Sequence, residues 1–132
     1  MTSYVVDASV GVKWLLHESD SDRALSLISD KTDRVVPDLF FAEIGNVLWK
    51  NIRAGNISAA RAQEALRLLA KIHLTVMQVA DLMEVALEIA KRFDRSFYDS
   101  TYLALALREN VPLITADRRL FNAMQAPISP NR

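Results

Sequence analysis

Short runs of β-branched residues, set between longer stretches of helical spacing, constrain this chain more than any other feature. "SYVVD", "RVVP", "HLTVMQV" and "VPLIT" read as strands. Between them lie "ASVGVKWLLHE", "SDRALSLIS", a long segment over 38–53, a helix capped by Ser58, another from Ala80 to Phe93, and "SFYDSTYLALALREN". "DRRLFNAM" reads as a last short helix, and "APISPNR" as a tail that adds an edge strand. Asp7 stands where the first helix needs an N-cap, and Gly55 with Asn56 stops the long one. No hairpin-type turn joins one strand to the next, so successive strands cross over through helices. The expected fold is α/β: a three-layer α/β/α domain, helix-rich, around a short central parallel sheet. With 132 residues and no linker or repeat, the chain is expected to form one domain over 1–132.

Composition narrows the function. The formal net charge is zero, so no global field draws the chain to nucleic acid or an anionic membrane. A polyanionic partner must be held by a local patch, a metal ion or another subunit. There is no cysteine, hence no disulfide framework and no thiolate zinc site. His17 and His73 are too isolated for a zinc cluster and read as bystanders. The start lacks a signal-peptide pattern and no 18-residue apolar run occurs, so a soluble cytoplasmic protein with no membrane partner is expected.

The long helix, "DLFFAEIGNVLWKNIR", carries the most informative anomaly. Phe40, Phe41, Ile44, Val47, Leu48 and Ile52 fall on one broad apolar arc at about 100° per residue. Glu43, Asn46, Lys50 and Arg53 share the narrow remainder. Glu43 is either the wet edge of a packed helix or an acid placed for chemistry.

Ligands of an open parallel sheet bind beyond the carboxyl ends of its strands. Asp7 ends the first strand, and Asp117 follows "LITA", read as the last central strand, at the same rim. Asp99 begins a helix that runs back antiparallel to that strand, so it returns to this edge. Glu43 lies five residues past Asp38, roughly 7–8 Å down its helix and still near the rim. Each acid also has an ordinary reading. Asp7 and Asp117 suit N-caps worth about 1 kcal/mol each. Ser96-x-x-Asp99 scans as a capping box. Taken together, four carboxylates on one rim repel; two charges about 4 Å apart cost ~4 kcal/mol at an effective dielectric of 20. A hard divalent cation relieves that repulsion.

"YVVDASV", "FFAEIGNVLWK", "SFYDSTYLALA" and "LITADRRL" occur in the order of the PIN domain. The whole chain resembles a VapC-type toxin of a type II toxin–antitoxin pair, from Ser3 to about Phe121. The resemblance implies that Asp7, Glu43, Asp99 and Asp117 are the metal-site and catalytic acids. It also implies that Ser9 and Thr115 fix a carboxylate or a metal-bound water, and Asn46 is a further supporting candidate. The implied activity is a Mg²⁺- or Mn²⁺-dependent endoribonuclease using one or two ions, in which metal lowers the pKa of the attacking water. Asp7 and Asp99 are expected as principal ligands, Asp117 shares the metals or orients the water, and Glu43 is ligand or base. Arg118, Arg119, Lys13 and Lys50 are candidate RNA contacts, although a solvated helical turn explains them equally well. Trp14 and Trp49 are expected in the core or at an interface. A homodimer and a VapB-type antitoxin are the partners the likeness implies.

Competing classes fit less well. A phosphoacceptor receiver domain wants an acid pair after its first strand and a late lysine. "VVDAS" has one acid, and Thr115-Ala116-Asp117 has no lysine. A DxD phosphatase fails because Ser9 replaces its second Asp. A non-catalytic or housekeeping PIN-fold protein that binds or processes RNA stays open at this point.

Overall fold

The computed structural model describes residues 2–16, 32–118 and 120. Strand β1 (Thr2–Val6) leads into helix α1 (Ala8–Leu15), and β2 (Thr32–Pro37) into α2 (Leu39–Arg53). Helix α3 (Ala59–Lys71), strand β3 (Thr75–Met77), a 3₁₀ turn at Val79–Asp81, α4 (Met83–Phe93), α5 (Phe97–Glu109) and β4 (Leu113–Ile114) follow. The four strands form one sheet in the order β3-β2-β1-β4, parallel throughout. Five helices flank it among the described residues, as the α/β/α reading required.

A parallel sheet covered on both faces reads as a continuous apolar run rather than an alternation. Val5 and Val6 of β1, with Val35 and Val36 of β2, show this, all four being buried. Val5 is in register with Val35 on one side and Leu113 on the other. Helices α1, α2 and α3 pack on one another, and α5 lies against β1, β2, β4 and α4. On α2, Phe40, Ile44 and Leu48 form the buried stripe, whereas Phe41 lies at the exposed end of the arc.

Helix α1 crosses α2 at Gly11. A Cβ there would lie 2.6 Å from Phe40 Cζ, 2.9 Å from its Cε2 and 3.0 Å from Ile44 Cδ1. Only glycine permits this approach, and it brings the start of α1 beside Glu43's helix.

Several expectations shift in detail. "VPLIT" forms only two residues of strand at an edge of the described sheet, half-buried rather than central. "HLTVMQV" shortens to three residues because the chain turns through the 3₁₀ segment before α4. Gly55 takes a positive φ of 76° past the end of α2, and Ser58 accepts from the Arg61 amide as a cap. Asp94 and Asn110 end α4 and α5 in the left-handed region, stops that sequence reading passed over. Trp14 is buried beside Phe40, but Trp49 is 54% exposed, with the Arg53 guanidinium 5.9 Å from its ring. Arg34, only 4% exposed, was not anticipated. Its guanidinium donates twice to the His73 carbonyl and once to Thr32 Oγ1, tying β2 to the approach of β3. His17, the 21–29 helix, Arg119, most of the last helix and the tail lie outside the described residues. Among those described, no helix is long and apolar enough to cross a membrane.

Candidate active site

The carboxyl ends of β1 and β4 set the site's first wall. The amide of Asp7 donates to the Ile114 carbonyl at 3.0 Å, which fixes the two strand ends side by side. Asp7 is only 7% exposed, and its side chain makes no capping bond to α1 although it occupies the N-cap position. It does other work. Asp7 Oδ2 accepts from Ser9 Oγ at 2.7 Å and from Thr115 Oγ1 at 2.8 Å.

Each hydroxyl is itself held by a backbone amide. Ala116 N donates to Ser9 Oγ at 2.9 Å, and Asp117 N donates to Thr115 Oγ1 at 2.9 Å. A hydroxyl has one proton to give, and both are directed at Asp7. The 3.4 Å separation of Ser9 Oγ and Thr115 Oγ1 is therefore a contact between two committed groups. Two hydroxyls on one oxygen fix the carboxylate plane and leave Oδ1 as the oxygen for a ligand. The same network ties the Asp117 backbone to Asp7. Thr115→Val keeps the shape but removes a donor to Asp7 and an acceptor for Asp117. We expect it to weaken binding of a divalent cation by roughly 10–100-fold, read by titrating metal-free protein with Mn²⁺.

Glu43 forms the second wall from α2. It is half-buried, and its Oε1 accepts from the Tyr102 phenol at 2.6 Å across 59 residues of chain. Burial raises its pKa above the ordinary 4.5, and the Asp7 and Asp99 charges raise it further against the opposing Tyr102 hydrogen bond. The charges of Asp7 and Asp99 thus bear on Glu43. Tyr102 is buried and carries a phenol pushed well above its usual range by burial and by Glu43, so it stays a proton donor.

Asp99 stands in the first turn of α5, where its amide donates to the Ser96 Oγ cap at 3.0 Å. The cap is real, yet it uses Asp99's backbone, so capping and site roles coexist in one turn. Asp117 is half-buried after β4, and its backbone amide is tied to Thr115, which donates to Asp7. Asn46 and Lys50 are exposed further along α2, Lys13 is half-buried on α1, and Arg118 is exposed beside Asp117. Tyr102 is the residue that sequence reasoning missed. Its only signal was the three-residue step from Asp99, which sets both on one side of α5.

All the donors here are oxygens, the choice of a hard divalent cation. Among the described residues, no group of three or more His, Asp or Glu stands close enough to hold a metal ion unaided. It is the all-oxygen chemistry of the donors that suits a small, hard ion such as Mg²⁺, which keeps much of its own water. Glu43's raised pKa gives a pH test. In metal-free protein its contribution is fully present below 4.5, where folded and unfolded chains are both protonated. It is lost as pH rises through the folded value and the buried charge must form. Glu43→Gln should abolish that loss, so its melting temperature should gain on the unsubstituted protein as the pH is raised above 4.5. A constant difference across that range would show that Glu43 is not strained by its neighbours.

An acidic rim over a short parallel sheet, with hydroxyls locking one carboxylate, is a defined class of site. Residues 4–126 match the PIN domain, and the chain belongs to that family. Its similarity runs to the VapC ribonucleases. It is 30% identical over 128 residues to Ribonuclease VapC3 of Pyrobaculum aerophilum, covering 96% of this chain and 98% of that one. It is 33% identical over 123 residues to Ribonuclease VapC9 of Mycobacterium tuberculosis, covering 92% and 91%. The crystal structure of VapC20 of Mycobacterium tuberculosis, described as a toxin cleaving the sarcin–ricin loop, superposes with a TM-score of 0.71. That likeness covers 91% of this chain and 94% of that one at 24% identity, and it speaks for the fold.

Proposed function

We propose that this protein is a metal-dependent endoribonuclease, the toxin of a toxin–antitoxin pair, acting through Asp7, Glu43, Asp99 and Asp117. The observation that carries the reading is the double hydroxyl clamp on Asp7, set beside Glu43 and within a shared field with Asp99. A buried carboxylate is not held in one plane by two hydroxyls to cap a helix it does not cap.

Asp7 and Asp99 would hold the cation, Mg²⁺ or Mn²⁺, and Glu43 would complete its acidic side. When bound, the cation offsets the phosphate's charge and makes a nearby water more acidic. Asp117 orients the attacking water and takes its proton as oxygen adds to phosphorus. The bond to the leaving ribose oxygen then breaks, and that oxygen gains a proton from solvent. Arg118, exposed and next to Asp117 in the chain, would meet a flanking phosphate. The same acidic rim attracts an arginine from a partner's tail, which is how a VapB-type antitoxin would block it. The exposed apolar residues Phe41 and Trp49 suit contact with that antitoxin or a second copy of the chain.

The test is cleavage of a labelled circular RNA with Mg²⁺ or Mn²⁺, and with chelator. A circle has no ends, so linear product in metal alone establishes endonucleolytic cutting. An intact circle in every metal sinks the reading.

A further inference from the structure

One side chain joins α5, which bears Asp99, to α2, which bears Glu43. Tyr102 lies on α5 three residues after Asp99 and is only 1% exposed. Its hydroxyl donates to Glu43 Oε1 on α2 at 2.6 Å.

We propose that Tyr102 is a positioning residue that holds Glu43 Oε1 so that Oε2 is presented to the divalent cation shared with Asp7 and Asp99. The inference rests on the acidic-site reading above. Three like-charged side chains from separate segments repel one another, and a long glutamate can escape by rotating outward. Its half-buried setting gives Glu43 room to do so, and the backbone of α2 fixes only its Cα. The phenol supplies the missing restraint. It is rigid and buried on α5, three residues from Asp99, so it fixes Glu43 relative to the helix that bears Asp99. Phenylalanine would fill the same volume and supply no restraint.

The experiment measures Mn²⁺ binding in the absence of RNA, by the loss of the free-ion spin-resonance signal, for five proteins. These are the unsubstituted chain, Tyr102→Phe, Glu43→Ala, the double variant, and Asp7→Asn, each with a metal-free melting curve. Tyr102→Phe is expected to melt within a few degrees of the unsubstituted chain and to bind Mn²⁺ roughly 10–100-fold more weakly. That deficit is expected to vanish in the Glu43→Ala background, because no carboxylate is left to position. Unchanged Mn²⁺ affinity in Tyr102→Phe, with Glu43→Ala impaired, overturns the positioning role alone. An equal loss in both backgrounds also overturns it, since the phenol would then act on packing and not through Glu43. Full affinity in Glu43→Ala while Asp7→Asn is impaired removes Glu43 from the cation and overturns the inference. Full affinity in both acid variants overturns the acidic site itself and the inference with it.

Discussion

Asp7→Asn is expected to cut RNA about a thousandfold more slowly while folding as well as the parent or better. The activity loss follows from the cation's share of transition-state stabilisation, several kcal/mol, at about 1.4 kcal/mol per tenfold. Stability should move the other way. The substituted amide keeps an oxygen to accept from Ser9 and Thr115, and it withdraws a charge that repels Glu43. Single-turnover cleavage with Mn²⁺ and melting in metal-free buffer measure the two effects on one preparation. A variant that cuts at the parental rate would return Asp7 to an ordinary structural role. A variant that merely unfolds would show up in the melt.

At Gly11 the largest expected effect is on the fold. A methyl group there meets the Phe40 ring and the tip of Ile44, and both side chains are fully buried with nowhere to go. Overpacking of this sort costs about 1–3 kcal/mol, against which alanine regains about 1 kcal/mol of helix preference. Gly11→Ala should therefore lose up to about 2 kcal/mol, a melting-temperature drop of up to roughly 10 °C for a domain of this size. Gly11→Val adds two more carbon atoms to the same contact without the helix preference, and it should not give a folded, soluble product. If Gly11→Val melts like the parent, α1 and α2 do not cross where the structure puts them. The same substitutions bear on activity, because forcing α1 off α2 separates Asp7 from Glu43.

Much of this was legible in the residues, for identifiable reasons. The strand runs at Val5-Val6 and Val35-Val36 are apolar without alternation because a parallel sheet is covered on both faces, and a run is visible where an alternation would compete with helix spacing. The stripe Phe40, Ile44, Leu48 was legible for the converse reason. Asp7 had two readings, cap and ligand, and sequence could not choose because both need the same position after a strand. The choice lies in where Ser9 and Thr115 point their protons, and Thr115 is 108 residues away along the chain. Tyr102 was hidden for a similar reason. In a helix as apolar as α5, a tyrosine reads as core, and it is core; its hydroxyl's partner is fixed only by how α5 meets α2. Arg34 was missed because the backbone carbonyl of His73 that answers it has no side-chain signature in the sequence. The lengths of β3 and β4 failed because short edge strands are set by neighbours, not by their own residues.

Strand β1 is synthesised first, yet it pairs with β2 from residue 32 onward and with β4 only at Leu113 and Ile114. A nascent chain that has not yet delivered residue 115 from the ribosome has no Thr115 to clamp Asp7 and no Asp117 at all. Such a chain can carry a half-built sheet without a working blade. On the proposed reading, this order of assembly keeps each molecule inactive until the segment with Thr115 and Asp117 has left the ribosome.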